Sequence, residues 1–168
     1  MNKEIVFSVV TIVYNGEKDI ERTIQSVLNQ TYPHVEYIVI DGASRDNTME
    51  IVRKYQDKIQ TIVSEPDNGI YNAMNKGLAK ATGDFVIYCN SGDGFASTDV
   101  LERIANEMKR AEVLPDLAYG TYARVVNGVQ GAPIGNRNPK KIWYGMVASH
   151  QSTFYGVEFL KSNNLRYD

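Results

Sequence analysis

The sequence has few of the features that mark secreted or membrane-spanning proteins. Its 168 residues include one cysteine, Cys89, so no disulfide can form within the chain, which fits a reducing compartment. Cys89 lies inside an apolar run, and we expect it to be a small buried hydrophobic residue. No apolar stretch approaches the roughly 20 residues that a membrane-spanning helix needs. We therefore expect a cytoplasmic protein, and leave peripheral association with the inner face of the plasma membrane open.

The chain also lacks an excess of charge of either sign. Lysine and arginine together number 18 and aspartate and glutamate 20, which leaves a net charge of −2. Domains that bind nucleic acid in general carry a clustered positive charge instead. We therefore expect no nucleic-acid partner.

Two glycine-rich nucleotide-binding motifs are missing as well. The sequence has no Walker loop ending in Gly-Lys, and no G-x-G-x-x-G motif follows its first apolar segment. These absences disfavour P-loop nucleotide triphosphatases and Rossmann dehydrogenases.

What the sequence does have is an alternation of apolar, β-branched segments with amphipathic ones. Strands are predicted at 5–13, 35–40, 59–63 and 85–89, with a helix after each. This rhythm predicts right-handed βαβ units and an α/β fold with a mostly parallel sheet flanked by helices. For the second helix, Asn47 and Glu50 have capping-box spacing, and for the fourth helix Ser97, Thr98 and Asp99 are available as caps.

The pattern changes beyond Pro115. A long strand is predicted at 117–126, and Asn127-Gly128 predicts a hairpin turn, with Val129 beginning the return strand. Residues 131–139 are rich in Gly, Pro and Asn, which predicts a surface loop. No linker or internal repeat divides the chain, so we expect one domain over residues 1–168.

Two aspartates follow predicted strands at what would be one edge of the sheet. Asp41 directly follows the strand at 35–40, and Asp93 lies just beyond the strand at 85–89. Ligands of open α/β sheets bind at the carboxyl ends of the strands. Taken alone, Asp93 is better explained by an Asx turn without a ligand. Together, with Gly42, Gly92 and Gly94 beside them, they predict a polar pocket.

Five segments carry a resemblance to a known family. They read SVVTIVYN at 8–15, SVLNQTY at 26–32, YIVIDGASRDNT at 37–48, DNGIYNAMNKG at 67–77 and ATGD at 81–84. In order and spacing they resemble the blocks of family-two glycosyltransferases with the GT-A fold, and most of all bacterial enzymes of capsule, exopolysaccharide or lipopolysaccharide assembly. The resemblance implies a Rossmann-like GT-A domain with a nucleotide-sugar-binding part at 1–95 and an incomplete acceptor-side part at 96–168, and the hairpin predicted from Asn127-Gly128 falls in the latter.

The resemblance also implies an activity and a donor site. The activity would be transfer of a sugar, with inversion, from a nucleotide-sugar to a glycan or lipid-linked acceptor in cell-surface polysaccharide biosynthesis. The expected donor is a UDP-sugar. Asp41 is implied to hydrogen-bond the base. The full set implied to bind the nucleotide-sugar is Thr11, Val13, Tyr14, Asn15, Asp41, Ser44, Asp67, Asn68, Asn72, Lys76 and Ser91.

Asp93 matches the last acid of the family's metal-binding D-x-D-type motif, which implies Mg²⁺ or Mn²⁺ on the diphosphate. One carboxylate plus substrate phosphates is a usual way of holding Mg²⁺. Two positions depart from the pattern, since Gly92 and Asn72 stand where acids are expected. His150 and Trp143 are implied to lie on the acceptor or phosphate side. A hydrogen-bonded histidine is an equal alternative for His150, and for Trp143 packing in the core or on the surface is the favoured role.

The base that takes a proton from the acceptor is implied to lie beyond Asp168. We therefore expect a chain cut from a longer protein, which holds the donor site without its catalytic base and is itself inactive. Two alternatives stay open. One is a nucleotide-binding module without transferase chemistry, and the other is a sugar-1-phosphate nucleotidyltransferase, whose glycine-rich basic loop is missing at 14–17.

Overall fold

Four parallel strands form the centre of the fold. The computed structural model describes residues 4–135 and 149–168. The strands are β1 (Phe7–Val13), β2 (Val35–Asp41), β3 (Thr61–Ser64), β4 (Phe85–Tyr88), β5 (Leu117–Tyr119), β6 (Val125–Val126), β7 (Val129–Gln130) and β8 (Thr153–Gly156). Six of them form a sheet in the order β3-β2-β1-β4-β8-β5, in which β1 to β4 are parallel and β8 is antiparallel to both neighbours.

The central strands are apolar on both faces because helices cover both. Every residue of β1 and β4 is buried, as is typical of a parallel sheet between helix layers. The helices are α1 (Ile20–Leu28), α2 (Thr48–Arg53), α3 (Ile70–Lys80), α4 (Val100–Lys109) and α5 (Val157–Ser162). Ile24 of α1 and Leu101 of α4 pack with Phe7 on one face, and Met74 of α3 packs with Val10 on the other. The predicted α/β fold with its mostly parallel sheet is confirmed.

The strand predicted at 117–126 is wrong in its length. Pairing with β8 supports only Leu117 to Tyr119, because a 3₁₀ turn at His150–Ser152 precedes β8 and offers no further ladder. The chain then forms an isolated bridge between Tyr122 and Ile134. Between these two residues lies a hairpin, in which β6 pairs with β7.

The predicted hairpin turn is confirmed. Asn127 and Gly128 have φ values of 52° and 77°, and two consecutive residues of positive φ define the turn that suits the twist of a hairpin. The predicted loop at 131–139 is described only as far as residue 135. Within the described ranges, no helix is long and apolar enough to cross a membrane.

The helix caps differ from the predictions. Asn47 precedes α2, but its side chain makes no cap hydrogen bond. Instead, the Asp46 carboxylate accepts hydrogen bonds from the backbone N–H and the hydroxyl of Thr48, at 3.0 and 2.5 Å. Asp99 precedes α4 without a side-chain cap, and the Leu101 N–H donates to Gln30 Oε1 at 3.1 Å. A neighbouring residue, Asp46, has therefore replaced the predicted cap of α2, and a residue distant in sequence, Gln30, has replaced that of α4.

Candidate functional site

The carboxyl ends of β1, β2 and β4 converge at one edge of the sheet. Val13 pairs with Asp41 at the end of β1 and β2. Two backbone hydrogen bonds carry the chain past the strand ends, from Gly42 N–H to Val13 O at 2.9 Å and from Ser91 N–H to Ile12 O at 3.0 Å. The Asp41 and Asp93 loops therefore leave the sheet on either side of β1, at the edge where the sequence predicted them.

Asp41 is enclosed by hydroxyl groups of its own fold. Its side chain is fully buried, and its carboxylate accepts hydrogen bonds from Ser44 Oγ at 2.5 Å and from Ser64 Oγ at 2.6 Å. The Ser44 N–H adds contacts of 3.3 and 3.1 Å to the two oxygens. A buried carboxylate needs such donors to remain charged. Asp41 thus ties β3 and the loop after β2 to the sheet edge.

The loops after β1 and β2 hold each other through reciprocal hydrogen bonds. Asn15 N–H donates to Ser44 Oγ at 2.8 Å, and Arg45 N–H donates to Asn15 Oδ1 at 2.9 Å. Gly16 N–H donates to Thr48 Oγ1 at 2.8 Å. Asn15 has a φ of 48°, a conformation that asparagine tolerates better than most residues. The two loops therefore form one rigid rim.

Residues before and inside this rim have different surroundings. Thr11 is fully buried, donates to the Cys89 carbonyl at 2.8 Å and lies 3.1 Å from the Tyr37 hydroxyl. Val13 is also buried, whereas Tyr14 is 61% exposed. Of the four residues at 11–15 predicted to bind the nucleotide, the structure thus brings Tyr14 and Asn15 to the surface and keeps Thr11 and Val13 inside.

Two further residues of the rim were missed in the sequence analysis. Asp46 accepts from Glu17 N–H at 3.1 Å, and Glu17 in turn accepts two hydrogen bonds from Asn47, at 3.0 and 2.9 Å. Partial burial raises the pKa of the Asp46 carboxyl, but the hydrogen bonds from Thr48 and Glu17 outweigh this and hold the pKa below its ordinary value. The spacing of Asp46 to Thr48 was a signal, since aspartate often accepts from the backbone two residues on.

The segment after β3 is anchored to this edge. Glu65 N–H donates to Asp41 O at 3.1 Å, and Lys76 Nζ lies 2.8 Å from both Glu65 Oε1 and the Pro66 carbonyl oxygen. The hydrogen bond from Lys76 holds the pKa of Glu65 below its ordinary value. Asp67 follows, and its Oδ1 accepts from Gly69 N–H at 2.9 Å. Lys76, predicted to bind the nucleotide-sugar, thus holds this loop in place.

An open cavity of about 390 Å³ lies at the start of α3. Asn68 and Asn72 line it together with Tyr71 and Tyr167, whose rings stack at a centroid distance of 5.8 Å. The Asn75 amide pairs with the Tyr167 backbone at 2.7 and 3.0 Å. Burial raises the pKa of Tyr167, so this phenol stays neutral. Two of the predicted donor-binding residues therefore share one amide-rich cavity.

Asp93 lies in a tight turn that is braced by α1. Asp93 N–H donates to Asn90 O at 2.8 Å, and Thr23 Oγ1 donates to Asp93 O at 2.8 Å and accepts from Gly92 N–H at 3.0 Å. Gly92 has a φ of 98°, in the left-handed region that favours glycine. This backbone conformation is a physical reason for glycine where the family resemblance led us to expect an acid.

The surroundings of Asp93 leave its charge incompletely stabilised. Burial raises the pKa of the Asp93 carboxyl above its ordinary value, although the charge of His150, a backbone hydrogen bond at Asn90 and a hydrogen bond from Gln151 all act in the opposite direction. His150 is therefore close enough to act on the carboxyl. The net direction means that a further cation at Asp93 would be favourable.

Unpartnered oxygen atoms next to Asp93 fit a hard cation. Asn90 Oδ1 and Ser91 Oγ are buried and have no hydrogen-bond partner in the described part of the chain, which is unusual for buried polar atoms. Carboxylate, amide and hydroxyl oxygens suit Mg²⁺ or Mn²⁺. The described residues hold no cluster of three His, Cys, Asp or Glu side chains, so the oxygens fit a cation shared with a ligand better than one caged by protein alone. Trp143 lies outside the described residues.

The fold and this edge define an α/β domain whose polar loops and one incompletely stabilised carboxylate gather where a ligand of such a sheet would bind. The family model described as Glycosyl transferase family 2 matches residues 8–144. The chain belongs to this family, and its fold is GT-A.

Relatives and solved structures agree with this assignment. An uncharacterised glycosyltransferase of Mycobacterium tuberculosis, Rv1514c, is 34% identical over 152 residues, which cover 89% of this chain and 58% of the relative. A candidate teichuronic acid biosynthesis glycosyltransferase of Bacillus subtilis, TuaG, is 31% identical over 126 residues, 73% of this chain and 50% of the relative. The crystal structure of S. aureus TarS 1–349 with UDP-GlcNAc has a TM-score of 0.80 at 26% identity and covers 98% of this chain and 49% of TarS. The chain thus spans about half the length of the proteins it matches.

Proposed function

We propose that this chain forms the donor-binding part of a bacterial glycosyltransferase. The enzyme would move a sugar from a UDP-sugar to a glycan or lipid-linked acceptor of the cell surface, with inversion at the anomeric carbon. The observation that carries this proposal is the Asp93 loop, where a carboxylate in need of a cation stands beside two unpartnered oxygens. The TarS structures with UDP-GlcNAc and with UDP support a nucleotide-sugar as ligand, and the description of TuaG supports a cell-surface polymer as product.

Asp93, Asn90 Oδ1 and Ser91 Oγ are the proposed holders of Mg²⁺ or Mn²⁺. When bound, the cation would offset the negative charge that develops on the departing nucleoside diphosphate. The bracing of the Asp93 turn by Thr23 keeps the carboxylate in place before the ligand arrives, so little ordering is needed on binding.

The other loops have proposed roles that follow from their exposure. Tyr14 and Asn15 form the rim against which the nucleoside lies. The amides of Asn68 and Asn72 line the cavity of about 390 Å³, and their donor and acceptor groups suit sugar hydroxyls. His150, close to Asp93, is proposed to contact the diphosphate, while an acceptor contact remains the proposal for Trp143.

Calorimetry with UDP tests the proposal directly. We expect UDP to bind with Mn²⁺ present and to bind much more weakly without it. Asp93→Asn should weaken the metal-dependent binding by more than about tenfold. Replacing even a side chain that only hydrogen-bonds to a metal ligand typically lowers metal affinity about 10- to 100-fold. Asp57→Asn is the matched control, because Asp57 is an exposed acid in the 3₁₀ turn before β3, at the opposite edge of the sheet.

Each result of this experiment decides between the candidate functions. Metal-dependent binding that Asp93→Asn weakens and Asp57→Asn does not is the expected outcome. UDP binding that needs neither the metal nor Asp93 would favour a nucleotide-binding module. Absence of binding by UDP, CDP and GDP, with or without Mn²⁺, would refute the proposal.

A further inference from the structure

Gly42 leaves a space at the donor-site rim that two other residues border. A Cβ atom at position 42 would lie 2.6 Å from Asp67 Oδ2 and 3.4 Å from Tyr14 Cδ2. The φ of Gly42 is not in the left-handed region, where several other glycines lie. Glycine at this position therefore serves to leave room, and the room is taken by the carboxylate of Asp67 beside the ring of Tyr14.

Asp41, the neighbouring acid, has no accessible oxygen with which to contact a ligand. It is 0% exposed, and both of its carboxylate oxygens accept hydrogen bonds from serine hydroxyl groups. A base that took a hydrogen bond from Asp41 would have to displace Ser44 or Ser64 from a buried carboxylate. Such an exchange replaces one hydrogen bond to the carboxylate with another, so the base would gain little from it.

Asp67 has the opposite properties. It is half-buried, its Oδ1 accepts from Gly69 N–H at 2.9 Å, and its Oδ2 accepts no hydrogen bond from any described residue. Its loop is held from two sides, by Glu65 N–H on Asp41 O and by Lys76 Nζ on Pro66 O. Asp67 thus presents one free acceptor from a rigid support, next to an aromatic ring that is 61% exposed.

We propose that Asp67, in the space left by Gly42 and beside Tyr14, is the residue that selects the base of the nucleotide donor, while Asp41 only positions the loops. This inference rests on the proposed function. A carboxylate only accepts hydrogen bonds, so it favours a base whose ring carries an N–H, as N3–H does in uracil and N1–H in guanine. The corresponding ring nitrogen of cytosine or adenine is an acceptor and is disfavoured. The ring of Tyr14 offers a face on which any base can stack.

The first test is a change of base preference in Asp67→Asn. We expect the wild-type chain with Mn²⁺ to bind UDP more tightly than CDP in calorimetry. Asp67→Asn should weaken the binding of UDP by about tenfold or more. Because an asparagine amide can donate to the ring nitrogen of cytosine, the variant should also show a smaller or reversed preference for UDP over CDP. Asp57→Asn should leave the ratio of the two affinities unchanged.

A second test supplies the carboxylate from position 42 after it has been removed from position 67. In the double variant Gly42→Asp with Asp67→Ala, the new side chain enters the space that Asp67 has vacated, because a Cβ at position 42 already lies 2.6 Å from the original Oδ2. We expect Asp67→Ala alone to lose the preference for UDP over CDP and the double variant to regain most of it. A merely structural role of Asp67 would not produce this rescue.

The outcomes separate this inference from the proposed function. If the wild-type chain binds UDP with Mn²⁺ and Asp67→Asn keeps the wild-type ratio of UDP to CDP affinity, base selection by Asp67 is refuted and the proposed function stands. If Asp41→Asn changes that ratio instead, the selection belongs to Asp41. If the wild-type chain binds no nucleoside diphosphate, both are refuted.

Discussion

The approach of α3 to the central strand leaves no room for a side chain at Gly77, and we predict that Gly77→Ala destabilises the protein. A Cβ atom at this position would lie 2.5 Å from Val10 Cγ1 and 3.5 Å from Val10 Cβ and Cγ2. Val10 is fully buried and pairs with β2 and β4 on either side. Its β-branched side chain has few alternative rotamers. Relief must therefore come from a movement of α3, whose first turn borders the proposed donor cavity.

Two opposing effects set the size of the change. In a helix interior, alanine is more favourable than glycine by about 1 kcal/mol. Forcing an extra carbon into a well-packed core costs about 1–3 kcal/mol. Because the contact is with a rigid side chain of the central strand, we expect the second effect to win, with a net loss of about 1 kcal/mol. For a chain of this length such a loss lowers Tm by about 2–4 °C.

A double-mutant cycle with Val10→Ala isolates the contact. Urea unfolding followed by circular dichroism gives the free energy of unfolding of the wild type, the two single variants and the double variant. Val10→Ala removes the two methyl groups that meet the new Cβ, so in that background Gly77→Ala should become neutral or stabilising by up to about 1 kcal/mol. A coupling energy of at least about 1 kcal/mol is expected. Stabilisation by Gly77→Ala in the wild-type background, or an equal penalty in both backgrounds, would show that the helix does not approach the strand so closely.

Three further predictions concern the loops at the sheet edge. The pKa of Asp93 is raised above its ordinary 3.8, so the metal-free folded protein favours the protonated carboxyl and is stabilised by it at low pH. As pH rises through the raised pKa, the wild type should lose stability relative to Asp93→Asn. Thermal melts of both proteins across this pH range measure the difference in Tm, and a difference that stays constant with pH would contradict the prediction. Asp41→Asn removes an acceptor from a buried site and should cost on the order of 1–3 kcal/mol of unfolding free energy while weakening UDP and CDP equally in calorimetry. Gly92→Ala places a Cβ at a φ of 98° and should cost about 1–2 kcal/mol in urea unfolding, with metal-dependent UDP binding weakened as well; an unchanged midpoint would contradict the strained turn.

The parallel part of the fold could be predicted because its signals are local. Every residue of β1 and β4 is buried because both of their faces are covered, and the mainly apolar, β-branched runs that result are visible in the sequence. The strand β8 and the helix α5 were not predicted, since β8 owes its conformation to pairing with β4 on one side and β5 on the other. Such pairing depends on neighbours that are distant in sequence.

The candidate site likewise has a part that could be predicted from the sequence and a part that could not. That Asp41 and Asp93 meet at one edge follows from strand order and could be predicted. That Ser64, 23 residues away, encloses Asp41 could not, and neither could the approach of Asp67 to Gly42. These contacts join loops that follow different strands, and no local spacing encodes the distance between such loops.

The two aspartates that look equivalent in sequence differ in what a ligand can gain from them. The hydrogen-bonding capacity of Asp41 is met by Ser44 and Ser64 inside the fold, so an arriving group would have to compete with contacts already made. Asp93 is held in a desolvated turn where burial raises its pKa despite the nearby charge of His150, and the oxygens next to it have no described partner. A cation that binds there offsets the cost of desolvating this carboxylate, and this gain adds to its affinity. Replacement of the Asp93 carboxylate should therefore affect mainly metal and UDP binding, whereas replacement of the Asp41 carboxylate should affect mainly stability.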